Sequence, residues 1–173
     1  LSSSSAASDV YKRQTVYCEA VAAIILGIMK LHSILSPGRT HNSVPGTSKK
    51  RSLEKVAQFI CADNPTLDPN QIFDRLIARE RLGSTGLGQG IAIPHCRLKS
   101  CQEITGCLVK LEKAIDFDAI DGEPVDLLFV LLVPDKAHDE HLTVLARLAE
   151  LFSDHNFCDQ LRHAKNDDEL YTT

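Results

Sequence analysis

The chain has no surplus of positive charge, no apolar stretch long enough to cross a bilayer, and no C-x-x-C or H-x-x-x-H pair. Nineteen Lys and Arg face 23 Asp and Glu, for a formal net charge of -4 over 173 residues. Nucleic-acid-binding domains gather Lys and Arg on one face, so that class is disfavoured. The apolar stretch from Ala20 to Ile28 falls well short of the roughly 20 residues a spanning helix needs, and no membrane insertion is expected. No C-x-x-C or H-x-x-x-H occurs, and Cys18, Cys61, Cys96, Cys101, Cys107 and Cys158 are scattered, mostly inside apolar runs. They read as reduced thiols rather than a disulfide framework or a zinc site, and no metal or cofactor is expected.

What is present is ordinary globular composition, with 43% hydrophobic and 24% charged residues. That argues against a disordered or collagen-like chain, and the length suits one domain. The first residues fit poorly. LSSSSAASDVYKRQ has a serine run and no apolar period, and Ala20 to Ile28 is followed by Met29-Lys30-Leu31, which reads like a protein start. Residues 1–28 are therefore expected to be a disordered leader, upstream sequence translated in error, and residues 29–173 the domain.

From Met29 onward the pattern alternates between helical and strand signals. Pro37, Gly38, Pro45 and Gly46 punctuate an irregular lead-in. Ser48 then caps a helix with apolar positions at Leu53, Val56, Ala57 and Ile60. Asp68 and Pro69 open a second helix, with Ile72, Phe73, Leu76 and Ile77 on one face, closed by Gly83. Ile91 to Ile93 reads as a short strand stopped by Pro94, with His95 delivered at its end. Ile104 to Leu111 and Val125 to Val133 read as further strands, joined through a turn at Asp121 and Gly122. The second is apolar enough to be buried on both faces, which requires helices on either side. Leu142, Leu145, Ala146, Ala149 and Phe152 fall at helical spacing, and Asn156 and Asn166 read as caps of two shorter helices. The expected fold is α/β, a three-layer α/β/α sandwich with a mixed β-sheet; the last helix, opened by Asn166, is expected to be cut short at Thr173.

The chemistry concentrates in Arg79 to Leu98, RERLGSTGLGQGIAIPHCRL. Gly83, Gly86, Gly88 and Gly90, with Ser84 and Thr85, suggest a concave anion site built from backbone N–H groups and hydroxyls. A Walker A loop needs Gly-Lys-Ser/Thr where Gly88-Gln89-Gly90 stands, and a Rossmann fingerprint misses its third glycine by one position. Neither nucleotide loop fits. His95 beside the loop points instead to a phosphoryl group attached to the protein itself, because neutral imidazole is a nucleophile at physiological pH. His141, at the start of a helix beyond the buried strand, is the candidate assistant, with His138 as its competitor. Taken alone, a histidine after a strand is more often structural, and Arg79 and Arg81 are more often a solvated helix end.

GSTGLGQGIAIPH, FDAIDGEPVDLLFVLLVP and EHLTVLARLAELF resemble motifs of the IIA domains of the mannitol/fructose class in the bacterial phosphoenolpyruvate-dependent phosphotransferase system. The wording of the first two is closest to the nitrogen-regulatory branch, and the likeness spans about Met29 to Tyr171. The resemblance implies the IIA type-2, or phosphotransferase/anion-transport, fold, with phosphorylation on His95, assistance from His141, and Arg79 lining the same site. It also implies a cytoplasmic phosphocarrier that receives its phosphoryl group from a small histidine phosphocarrier protein. Regulatory targets such as potassium transport proteins or sensor kinases would then be its partners. A sugar-specific IIA component passing phosphate to a IIB domain, or a binding module without phosphorylation, are the competing readings. Cys96 departs from the family pattern, which has glycine after the histidine.

Overall fold

Ten nearly unbroken apolar residues, Val125–Pro134, form the strand around which the molecule is arranged. The computed structural model describes residues 31–137 and 140–173. The leader expected over residues 1–28 and the competing histidine, His138, lie outside the described residues. In chain order the strands are β1 (Thr40–Val44), β2 (Gly86–Gly88), β3 (Ile91–Ala92), β4 (His95–Leu98), β5 (Thr105–Ile115) and β6 (Val125–Pro134). The helices are α1 (Lys49–Asp63), α2 (Pro69–Glu80), α3 (Glu140–Phe152), α4 (His155–His163) and α5 (Asp167–Thr172).

The sheet runs β1-β5-β6-β3-β2, with β4 also paired to β6. It is mixed: β5 and β6 are antiparallel, while β3 and β4 both run parallel to β6. Strand geometry sends alternate side chains of β6 to opposite faces. Leu128, Val130 and Leu132 join α1 and α2 in one core, through residues such as Leu53, Ile60, Ile72 and Leu76. Leu127, Phe129, Leu131 and Val133 join α3, α4 and α5 in the other, through Val144, Leu148, Phe152, Leu161 and Leu170. The fold is therefore α/β, a mixed sheet between two helical layers. Each fully buried leucine or phenylalanine contributes about 1.5–3 kcal/mol by leaving water, so the central strand is a main source of stability.

Local signals account for most helix starts. The Ser48 hydroxyl accepts from Arg51 N at 3.3 Å, the Asp68 carboxylate from Asn70 N at 2.9 Å, and the Asn166 amide oxygen from Glu169 N at 2.8 Å. α4 is capped differently from expectation. The Asp154 carboxylate accepts from the N–H groups of Asn156 and Phe157, so Asn156 lies in the first turn rather than at the cap.

Three strand features also differ. Residues 40–44 in the irregular lead-in pair with β5 as an edge strand, and residues 86–88 in the glycine loop pair with β3. His95 does not end a strand; it opens β4, opposite Leu131. Pro94 has no N–H to give the ladder and breaks it. Its carbonyl still accepts from Leu131 N at 2.9 Å, so pairing with β6 resumes one residue later. The interruption brings the His95 ring to the C-terminal end of α2.

Candidate active site

His95 is half-buried, and both of its ring nitrogens are engaged. Nδ1 lies 2.9 Å from the carbonyl oxygen of Ile93. A carbonyl can only accept, so Nδ1 carries the proton and Nε2 presents its lone pair. Arg79 Nε donates to Nε2 at 3.1 Å, while Arg79 Nη1 donates to the carbonyl of Gly83 at 2.9 Å. Burial lowers the His95 pKa below the ordinary histidine value. The Ile93 hydrogen bond works against this, and the nearby Arg79 charge adds to the lowering. The ring is accordingly neutral at physiological pH, in the tautomer whose free lone pair is at Nε2.

The ring opens onto a pocket of about 340 Å³ whose wall includes Arg75, Arg79, Leu82, Arg97 and His141. The structure thus brings together three residues picked out in the sequence, His95, Arg79 and His141, from a strand and two helices distant along the chain. His141 sits in the first turn of α3, where exposed N–H groups and the helix dipole favour an anion. Arg97 Nη2 lies 3.1 Å from Nδ1 and 3.3 Å from Nε2 of His141. Two side chains of this wall, Arg75 and Arg97, escaped the sequence reading. Arg75 precedes Arg79 by one helical turn and Arg97 follows His95 by two residues on a strand, so each shares its neighbour's face. Two histidines and three guanidinium groups around one open pocket form a site for an anion with several oxygens.

The glycine segment takes a different place from the expected anion cradle. Gly83, Ser84, Thr85, Gly86, Gly88 and Gly90 do not line this pocket. Their neighbourhood spends its donors on the protein itself: Thr85 N on the Glu80 carboxylate, Gly86 N on the Ser84 hydroxyl, and Gln89 N on Asp121. Ser84 Oγ donates to the Phe117 carbonyl at 2.7 Å. The glycines serve close approach and backbone shape. A Cβ on Gly86 would stand 2.8 Å from the Cα of Ala119, and Gly90 has φ +79°. The segment shapes the site through Gly83, whose carbonyl holds the Arg79 guanidinium.

Cys96 points away from reactivity. Its side chain is buried, and burial pushes the thiol up to about 12, so it stays protonated beside His95. Among the described residues no cluster of three or more His, Cys, Asp or Glu side chains is placed to hold a metal ion. No helix among them is long and apolar enough to cross a membrane.

Comparison with known proteins gives a consistent family. The model of the family described as "Phosphoenolpyruvate-dependent sugar phosphotransferase system, EIIA 2" matches residues 33–173. A nitrogen regulatory protein of Pseudomonas aeruginosa is 49% identical over 144 residues, covering 83% of this chain and 94% of the relative. Its counterpart in Escherichia coli K12 is 43% identical over 144 residues, covering 83% of this chain and 88% of the relative. The crystal structure of nitrogen regulatory protein IIA-Ntr from Neisseria meningitidis aligns with a TM-score of 0.74 at 38% identity, over 82% of this chain and 97% of that one. With this fold and a family match over residues 33–173, the chain belongs to the EIIA type 2 family of the phosphoenolpyruvate-dependent phosphotransferase system.

Proposed function

We propose that the protein is a cytoplasmic phosphocarrier of the nitrogen-regulatory branch. His95 accepts a phosphoryl group from a histidine phosphocarrier protein, and protein partners, among them potassium transport proteins or sensor kinases, read the phosphorylation state. The observation that carries this reading is the pair of contacts on one ring. Ile93 fixes the proton on Nδ1, and Nε2 faces a pocket walled by arginines. In the proposed step the Nε2 lone pair forms the new N–P bond as the donor's N–P bond breaks and its imidazole leaves with that electron pair. The Nδ1 proton stays on the Ile93 hydrogen bond. Arg79 Nε–H, released from Nε2, turns to a phosphoryl oxygen, and His141, Arg75 and Arg97 face the same charge. Phosphoryl transfer has little covalent work for a protein beyond positioning and stabilising charge, which is what this wall supplies.

The relatives named nitrogen regulatory protein support the branch. The decisive experiment incubates the protein with phosphoenolpyruvate, enzyme I and the carrier protein. An acid-labile, base-stable phosphoprotein that disappears in His95→Ala is the expected result. Undiminished labelling of His95→Ala refutes the assignment, and onward transfer to sugar through added IIB and IIC components selects transport over regulation.

A further inference from the structure

We propose that Glu80 is the positioning residue of the site, its carboxylate fixing the frame that holds both ring nitrogens of His95. The inference rests on His95 being the phosphoryl acceptor. Glu80 does not line the pocket, and its side chain is only 6% exposed.

Two arms lead from Glu80 to the ring, one from its carboxylate and one from its main-chain carbonyl. On the first, Thr85 N donates to Oε1 at 3.1 Å and Thr85 Oγ1 donates to Oε2 at 2.6 Å. The Thr85 carbonyl accepts from Ile93 N at 3.0 Å, and the Ile93 carbonyl accepts from His95 Nδ1. On the second, the turn between Glu80 and Thr85 carries Gly83, whose N–H donates to the Glu80 carbonyl at 3.2 Å. The Gly83 carbonyl accepts from Arg79 Nη1, and Arg79 Nε donates to His95 Nε2. Pinning Thr85 and Glu80 together therefore sets both the carbonyl that fixes the tautomer and the guanidinium that faces the lone pair.

The electrostatics of the position argue against a simple cap. Glu80 is the last residue of α2, where the helix dipole disfavours negative charge, and a secluded carboxylate is costly unless paired. The fold answers with Lys49, whose Nζ lies 3.1 Å from Oε1 and 2.7 Å from Asp118. A burdened carboxylate with four donated hydrogen-bond contacts, from Thr85 and Lys49, is built to hold the turn in one place.

The test compares Glu80→Ala, Glu80→Gln and Thr85→Val. One readout is ¹⁵N NMR of the His95 ring in the unphosphorylated protein; the other is the transfer rate from phosphorylated carrier, resolved into maximal rate and carrier dependence. In Glu80→Ala the ring is expected to lose its single Nδ1–H tautomer. The maximal rate should fall by about tenfold to a hundredfold, as for a small misplacement of reacting groups, with the carrier concentration at half-maximal rate changed less than twofold. Glu80→Gln keeps an oxygen for Thr85 and should restore the tautomer and most of the rate, which separates geometry from charge. Thr85→Val should fall between them and serves if Glu80→Ala does not fold. A folded Glu80→Ala or Thr85→Val with wild-type tautomer and rate overturns the proposal, as does a rate loss that only tracks the unfolded fraction. The NMR readout needs no phosphorylation, so absence of label on wild-type His95 would sink the acceptor assignment while leaving the frame to be judged by the ring.

Discussion

Replacing Arg79 tests the site most directly, because its guanidinium makes two contacts in different directions. Nε donates to His95 Nε2 at 3.1 Å and Nη1 to the Gly83 carbonyl at 2.9 Å. In the proposed transfer the first donor turns from the nitrogen lone pair to a phosphoryl oxygen. Removing one preorganised donor from developing charge typically costs about 2.7–4 kcal/mol of transition-state stabilisation, or roughly 10²–10³ in rate. Arg79→Ala should therefore slow transfer from phosphorylated carrier by that factor in a rapid-quench assay. Arg79→Lys keeps the charge but offers a single point donor that cannot reach both partners, and it should remain at least about tenfold slow. A second consequence is independent of turnover. The Arg79 charge helps to depress the His95 pKa, so its removal should raise that pKa, with burial still holding it below the ordinary value. ¹H–¹⁵N NMR titration of the ring measures the change. A transfer rate for Arg79→Lys within twofold of wild type, or a His95 titration unmoved in Arg79→Ala, refutes the role assigned to the guanidinium.

His141→Ala should lower the maximal transfer rate by about a hundredfold while leaving the carrier concentration at half-maximal rate nearly unchanged, since its contact grows with transition-state charge. An unchanged rate removes it from the site. For pH, the depressed His95 pKa keeps the ring neutral through the ordinary histidine range near 6.5, so the transfer rate should hold there and fall only at lower pH. Between the two values the unfolded chain binds more protons than the native one, so His95 makes stability fall as pH drops below about 6.5. Denaturant melts at several pH values should show this slope reduced in His95→Ala, and an equal slope counts against a depressed pKa. Gly90→Ala should destabilise by about 2 kcal/mol: a left-handed alanine costs about 1–2 kcal/mol, and its Cβ would stand 2.6 Å from Arg162 Nη2 and 2.7 Å from Asp126 Oδ1. Calorimetry should place its Tm about 5 °C below wild type, and a Tm within one degree contradicts the steric account.

The elements most legible in the sequence are those whose residues answer to one local rule. β6 declares itself because nine of its ten side chains are buried, and α1 and α2 because Ser48 and Asp68 supply acceptors where free N–H groups need them. β1 hides because Thr40–Val44 has one strongly apolar residue, Val44, between two proline-glycine pairs; parallel pairing with β5 makes it a strand. The polar run KLEK, Lys110 to Lys113, hides the end of the strand expected over Ile104 to Leu111. β5 in fact continues to Ile115, and Lys110 Nζ donates to the carbonyls of Arg162 and Ala164 at the end of α4. That contact joins residues more than fifty apart, and no window of sequence contains it. At the site the same division holds. His95, Arg79 and His141 lie in recognisable motifs, whereas Arg75 and Arg97 needed the helix and strand periods applied outward from those residues.

The glycine segment carries the larger lesson, because its composition invited an anion and its geometry houses a scaffold. A run of glycines can turn its amides outward to a ligand or inward to the protein, and composition does not distinguish the two. The choice is made by carboxylates elsewhere in the chain, Glu80 and Asp121, which accept from Thr85 and Gln89. With those amides committed, the side chains that face the pocket are long arginines and a histidine on α3. The division suits the proposed exchange of phosphoryl groups with a carrier protein. An internal frame holds the ring toward the pocket, and in the proposed step the Arg79 donor turns from the nitrogen to a phosphoryl oxygen.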